Sequence, residues 1–529
     1  MMSVEQMCCV VTVSETMCND KQQQPTVTPL SCSGVVINYQ SGLVLCSGLL
    51  FSRFLLDKEC KRQNPNILSA YKFSNQIQVF IDHVDVKVNR CTSKRFLTNE
   101  CPTCRKPAEL LMMINCVEFQ VAFQKLFTDS EQWKFTDLDE DDEILYDSNF
   151  LSWFAVLRMT TDTQVDADAD AVPWIKSTAL AKGCSVLACG SPFGSFCPDL
   201  FMSTLSKGIV SNLAGEDNAL ILTDARCLPG TQGGGLFVSD GDTPYLVGLI
   251  TSPLCWKSNE WIGLTLVCSL HLILKNISQA VTCHQSLREI SIHSITDSSH
   301  VPAPQNSENG KYPVVVVVES GQVWGSGIVL SPSLVLTCRH VVKGRQFLKV
   351  TLNTSKRAQT VSSTVLYSTK ETSPYDVAIV QLQESFPHVT VPQITTVFLP
   401  GEDVLVLGYG GLGKTCGPSL TSGILSRVVQ LQNKPVMLQT TCAVNCGASG
   451  GAVVRAKTGE LLGIVASNTR DFAAKVTYPH LNFSIPVSVL EPLLRRFAQT
   501  QDPAVFQELD SVDHEVRRVW RLQSPQSKL

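Results

Sequence analysis

Basic charge is scarce in this chain. Only 17% of its 529 residues are charged, and 43 Lys and Arg are outnumbered by 47 Asp and Glu, leaving a net charge of −4. Nucleic-acid binding needs clustered cations to displace counterions, so that class of partner is excluded. Long apolar runs are missing too. The strongest, "PYLVGLITSPLCW" and "PVVVVV", are of strand length or broken by proline, and no run reaches the length of a membrane span. The opening "MMSVEQMCCVVTVSETMCND" has no basic region before its short apolar run and carries Glu5 close to it, which fails as a secretory signal. What the chain has in quantity is cysteine. The 21 cysteines are odd in number and scattered, unlike the even, spaced set of a disulfide scaffold, and they read as free thiols of a reducing compartment. The sequons at Asn276, Asn353 and Asn482 are then accidental. With 44% hydrophobic residues the chain can fill the cores of two to four domains.

Residues 284–313, "HQSLREISIHSITDSSHVPAPQNSENGKYP", are polar, Ser- and Asn-rich and punctuated by proline, and read as a linker. On both sides lie short β-prone runs separated by turn residues, the pattern of an all-β barrel or sandwich. The two sides also match each other. "SCSGVVINYQSGLVLCSGLL" lies against "GSGIVLSPSLVLTCRHV", "SWFAVLRM" against "YDVAIVQL", "LSKGIVSN" against "LTSGILSR", "DARCLPGTQGGGLFV" against "TTCAVNCGASGGAVV", and "PYLVGLITS" against "GELLGIVAS", all in the same order. This is the signature of a duplicated domain. The expected organisation is a first copy over 1–283, the linker over 284–313, a second copy over 314–500 and a C-terminal tail over 501–529.

Three reactive residues stand out in the second copy: His340 in "LTCRHV", Asp376 in "SPYDVAIV" and Ser449 in "GASGG". A serine hydroxyl is a weak nucleophile. It needs an imidazole to take its proton and a carboxylate to fix that imidazole's tautomer. The order His, Asp, Ser is the one used by double β-barrel serine proteases, and each residue falls at the end or beginning of a strand-like run. In the first copy the block alignment sets Leu49 opposite His340, Trp153 opposite Asp376 and Gly233 opposite Ser449, so the reactive groups are gone while the glycines remain. Gly447 stands two residues before Ser449, where its N–H and that of Ser449 form an oxyanion hole.

"TCAVNCGASGGAVV", "TSGILS" and "LNFSIP" resemble the HtrA/Deg branch of trypsin-like proteases, and "GSPFG" at 190–194 is similar to a motif of the same family. The resemblance implies an all-β fold of two tandem trypsin-like double β-barrels, the N-terminal one degenerate. Since only 39 residues follow "IPVSVL", the PDZ domain common in that family is not expected. Ala443, six residues before Ser449, stands where trypsin-like pockets carry the specificity carboxylate, so a small neutral side chain before the cut bond is expected. Ala448 replaces the aspartate that pairs with a freed N-terminus in zymogens. Ser527, Lys528 and Leu529 form a peroxisomal address, which implies the import receptor as a partner. With that address, the resemblance implies a peroxisomal endopeptidase that cuts leader peptides of imported precursors after cysteine, processes other peroxisomal enzymes such as those of β-oxidation, and cleaves itself. The polar stretch from Arg90 to Lys106 is expected to be an exposed loop cut after Cys104, with Cys91 as the fallback. A second copy of the chain and its own cleavage fragment are further expected partners.

Other signals carry less. The CxxC of Cys101 and Cys104 lacks the second pair that zinc needs, and no metal or cofactor is expected. The acidic run 137–145 reads as a solvated loop and His480 as structural. Cys338 and Cys446 lie beside the reactive residues, where small packing residues are usual. Two rival functions remain. In an α/β-hydrolase such as an acyl-CoA thioesterase, "GASGG" would be followed by a helix and then by Asp471 and His480, yet the sequence after Ser449 reads as a β-hairpin. In a binding protein without activity, the three reactive residues would be relics.

Overall fold

The computed structural model describes residues 3–15, 29–56, 66–84, 103–127, 133–135, 148–160, 171–196, 198–241, 243–253, 255–257, 260–283, 312–353, 358–386, 389–414, 416–471, 476–511 and 513–521. Linker residues 284–311, the acidic run, Cys91, Cys101 and the Ser527–Leu529 tripeptide lie outside them. The chain divides into two units: 1–259 with 264–307, and 308–529 with the short segment 260–263. That segment falls inside the expected first copy yet belongs to the second unit.

Each unit is built from two rings of six antiparallel strands. In the second unit the first ring runs Val315–Ser320, Val323–Ser331, Leu334–Thr337, Ala378–Leu382, Ala358–Ser368, Phe347–Asn353. The second runs Asp403–Gly408, Ser419–Leu431, Lys434–Thr440, Val476–Pro486, Leu461–Asp471, Ala452–Arg455. The strands are short and rich in Val, Ile and Leu because each has a face against a barrel interior, and closure leaves no unpaired edge. The second barrel's core includes Val404, Val406, Leu425, Leu438, Val453, Leu462 and Val465.

The first unit repeats this order. Its first ring joins Cys8–Glu15, Leu30–Asn38, Leu43–Ser47, Trp153–Met159, Thr103–Asn115 and Ile77–Val84, with Ile67–Ser69 added at one side. Its second ring joins Ser185–Gly190, Thr204–Ala214, Leu220–Thr223, Thr265–Ser269, Thr243–Ser252 and Gly235–Asp240. A helix follows the last strand in both units, Leu270–Cys283 in one and Val487–Thr500 in the other. The expected tandem double barrels are therefore present.

Two expectations need correction. The segment taken for a loop through Lys106 is a strand from Thr103 onward, where Cys104 pairs with His83 and Arg105 with Asp82 in an antiparallel ladder. Its first seven residues alternate between exposed and half-buried, so the apolar signal begins only at Leu110. The residues taken for a tail are folded as far as Trp520. Pro503–Asp510 and His514–Trp520 are helical, and Trp520 Nε1 donates to the carbonyl of Val436 at 3.0 Å.

Candidate active site

In the second unit the strand Leu334–Thr337 ends in Cys338, the cap of a short helix Arg339–Val342 that carries His340. Asp376 lies two residues before the neighbouring strand Ala378–Leu382, which pairs Ala378 with Thr337. This pairing brings the two side chains together. Oδ2 of Asp376 meets Nδ1 of His340, and Oδ1 accepts the backbone N–H of His340 at 3.0 Å. An ionised carboxylate only accepts, so Nδ1 carries the proton and Nε2 of the neutral ring is left with a lone pair. The Asp376 side chain is 21% exposed against 48% for His340. Burial raises the carboxyl's pKa, but the hydrogen bond and charge of His340, its backbone N–H and the Arg339 guanidinium outweigh burial and hold it below the ordinary 3.8.

Ser449 sits in the turn before the strand Ala452–Arg455. Its carbonyl accepts the N–H of Ser326 at 2.8 Å, and the Ser326 carbonyl accepts Oγ1 of Thr337 at 2.7 Å. A second link joins the same two regions. The carbonyl of Val465 accepts Gly450 N–H at 2.8 Å and Sγ of Cys338 at 3.2 Å. The turn of Ser449 and the strand that delivers His340 are thus tied together from both sides. Gly450 must be glycine, since its φ is +85° and a Cβ would lie 2.1 Å from the Ser326 carbonyl.

Gly447 has φ +96°, and a Cβ there would meet the Trp324 ring and the Tyr409 carbonyl at 2.5 Å. Its carbonyl is held by Oγ of Ser326 at 2.7 Å, and Oγ in turn accepts Tyr409 N–H at 2.8 Å. Ala443 is buried, with its carbonyl accepting Oγ1 of Thr421 at 2.8 Å. Asn482 is fully buried and its amide donates to the carbonyls of Cys442 and Thr440, so this sequon is a structural residue fixing the approach to Ala443. Nδ1 of His480 lies 3.1 Å from the Thr441 carbonyl. Strand Ala452–Arg455 pairs with Leu461–Asp471, so a hairpin follows Ser449 where an α/β-hydrolase has a helix.

The first unit holds the same scaffold. Oγ of Ser33 donates to the Gly230 carbonyl at 2.8 Å and accepts Ser191 N–H at 2.7 Å, as Ser326 does with Gly447 and Tyr409. Ser33 N–H donates to the carbonyl of Gln232 at 3.0 Å, as Ser326 does to Ser449. Gly233 has φ +86° and would place a Cβ 2.1 Å from the Ser33 carbonyl, as Gly450 does with Ser326. The counterpart of Ser449 is therefore Gln232, and Gly233 matches Gly450. Strand pairing of Cys46 with Ala155, as of Thr337 with Ala378, keeps Leu49 and Trp153 at the other two positions.

Sequence reasoning missed the support behind Asp376. Oγ of Ser373 donates to the Leu509 carbonyl at 2.6 Å, and Asp510 accepts Lys370 N–H at 2.7 Å and Tyr367 OH at 2.9 Å. Arg339 donates to the carbonyl of Lys370 at 2.5 Å. The segment leading into Asp376 is thus held by the C-terminal helical residues, a long-range contact that no local pattern signals.

A double β-barrel with this His–Asp pair and glycine-framed serine defines a trypsin-like serine peptidase, and residues 325–464 match the trypsin-like peptidase domain. The peroxisomal leader peptide-processing protease of Homo sapiens is 38% identical over 567 aligned residues, covering 99% of this chain and 97% of its own. That of Mus musculus is 39% identical over the same length and shares. The periplasmic serine endoprotease DegP of Salmonella typhimurium is 29% identical over 191 residues, 33% of this chain and 36% of its own. The chain belongs to the peroxisomal leader peptide-processing proteases.

Proposed function

We propose that Ser449, His340 and Asp376 form the catalytic triad of this peroxisomal serine protease, and that the first unit has no catalytic centre of its own. The observation that carries this reading is the two-point grip of Asp376 on His340. It fixes the ring's position through the backbone and its tautomer through Nδ1. Nε2 then takes the proton of Ser449 Oγ as Oγ attacks the scissile carbonyl. The developing oxyanion is met by the N–H groups of Gly447 and Ser449, whose turn is fixed by Ser326. The imidazolium returns the proton to the leaving amine, and water, activated by the same ring, releases the acyl group from Ser449.

Ala443 supports a small neutral side chain before the cut bond, and the relatives' names point to leader peptides of imported precursors as substrates. Cleavage after cysteine, action on other peroxisomal enzymes and self-cleavage belong to the same reading. The paired strand around Cys104 bears on the last. A barrel protease grips its substrate as an extended strand, so the Cys104–Arg105 bond must leave its ladder with Ile77–Val84 before it is cut. Ser527, Lys528 and Leu529 supply the address read by the import receptor. The test is incubation of the purified protein with a peroxisomal precursor and mapping of the cut sites by mass spectrometry. The reading requires cuts after small residues, cysteine foremost.

A further inference from the structure

The segment Glu260–Gly263 comes from the first copy's sequence but is folded into the second unit. Five contacts seat it there. The Ile262 carbonyl accepts Nδ2 of Asn445 at 2.8 Å, in a buried hydrogen bond four residues before Ser449. The Ile262 side chain is 2% exposed and covers Gly411, where a Cβ would lie 2.9 Å from Cδ1 of Ile262. Gly263 has φ +71°, and a Cβ on it would stand 3.2 Å from Cβ of Ala443 and 3.3 Å from Nε2 of His480. The Trp261 ring meets the His480 ring edge-on at 5.3 Å, and the Glu260 carboxylate accepts Oγ1 of Thr477 at 3.1 Å.

A residue such as Ala443, with one methyl, sets the size of a pocket only together with whatever faces that methyl. Here the strap faces it, through Gly263 against Cβ of Ala443 and Nε2 of His480. Asn445 needs its anchor as well, because it is two residues from Gly447, and an amide released from a buried acceptor would seek another partner. The glycine is favoured by its positive φ, and a Cβ there would sit tight against the Ala443 methyl. Neither demand arises from the first copy's own barrels.

We infer that Glu260–Gly263 is a specificity strap: a piece of the degenerate copy that completes the second copy's pocket for the residue before the cut bond, with Ile262 and Gly263 setting its size. This inference rests on the triad reading above.

The test uses the full chain and its Ile262→Ala and Gly263→Ala variants. Peptides differing only before the cut bond, with Ala, Cys, Val, Leu or Phe there, give kcat and KM separately. A small fluorophosphonate, which has no side chain to fit the pocket, gives the reactivity of Ser449 on its own. For Gly263→Ala we expect kcat/KM on the Ala and Cys peptides to fall about tenfold, carried by KM, as one added methyl crowds the methyl of Ala443. For Ile262→Ala we expect the preference to shift about tenfold toward Val and Leu. Fluorophosphonate labelling should stay within about twofold of wild type in both. An unchanged peptide profile overturns the strap, and so does a parallel loss of labelling and of all peptides, which would mean a general structural role. Failure of the wild-type protein to be labelled at Ser449 would instead overturn the triad reading on which the strap depends.

Discussion

Asp376 accepts both the backbone N–H of His340, at 3.0 Å, and its Nδ1. Despite partial burial, these bonds and the Arg339 charge hold the carboxyl below 3.8. A carboxyl whose folded pKa is depressed contributes stability that is complete above its unfolded value and is lost as pH falls through its folded one. The Asp376→Asn protein should therefore melt below wild type at neutral pH, with the gap closing below about pH 4. Melting curves of both proteins between pH 7 and pH 2 check this. A gap that does not change with pH would mean that the carboxylate's charge contributes nothing.

Gln232, as the counterpart of Ser449, gives a prediction in the first unit. Gln232→Ser should leave the protein folded and create no second nucleophile, because Leu49 and Trp153 offer neither base nor carboxylate. Gly233→Ser should instead cost about 1–3 kcal/mol or more, since φ +86° and the Ser33 carbonyl leave no place for a side chain. Chemical unfolding of the two variants separates them.

The barrels and the proposed triad were legible in the sequence because both leave local marks. Short Val- and Leu-rich runs between turn residues mark the strands, and His340, Asp376 and Ser449 each sit at the end of one. The one-residue slip in the first copy arose from the run Gly233, Gly234, Gly235, in which letters alone do not distinguish the glycine that must have positive φ. The strand at Thr103 was hidden because its first seven residues are exposed or half-buried and include Arg105, Lys106 and Pro107. The strap 260–263 and the anchoring of Ser373 by Leu509 are contacts between residues far apart in sequence, set by the packed fold.

Asp510 should act as a positioning residue for the segment that ends in Asp376. Asp510→Ala frees Lys370 N–H and Tyr367 OH, and kcat should fall about 3–30-fold with little change in KM. Steady-state kinetics on one peptide substrate decide it, and an unchanged kcat would show that the C-terminal helices do not support the site.

Alkylation should act through Cys446 and spare Cys338. Cys446 is exposed one residue before Gly447, whereas Cys338 is buried, and burial together with the Asp376 charge pushes its thiol well above 9.0. Iodoacetamide should inactivate the wild-type protein by modifying Cys446, and Cys446→Ser should remain active under the same treatment. Inactivation that proceeds equally in Cys446→Ser would refute the assignment.

The central claim is that one serine performs the proteolysis. Its most direct test is the rate at which purified wild-type and Ser449→Ala proteins cut the same peroxisomal precursor. Ser449→Ala should lose about four orders of magnitude or more, with no further loss when His340→Ala is added, because the two act as a unit. Cleavage by Ser449→Ala at a rate near that of wild type would contradict it.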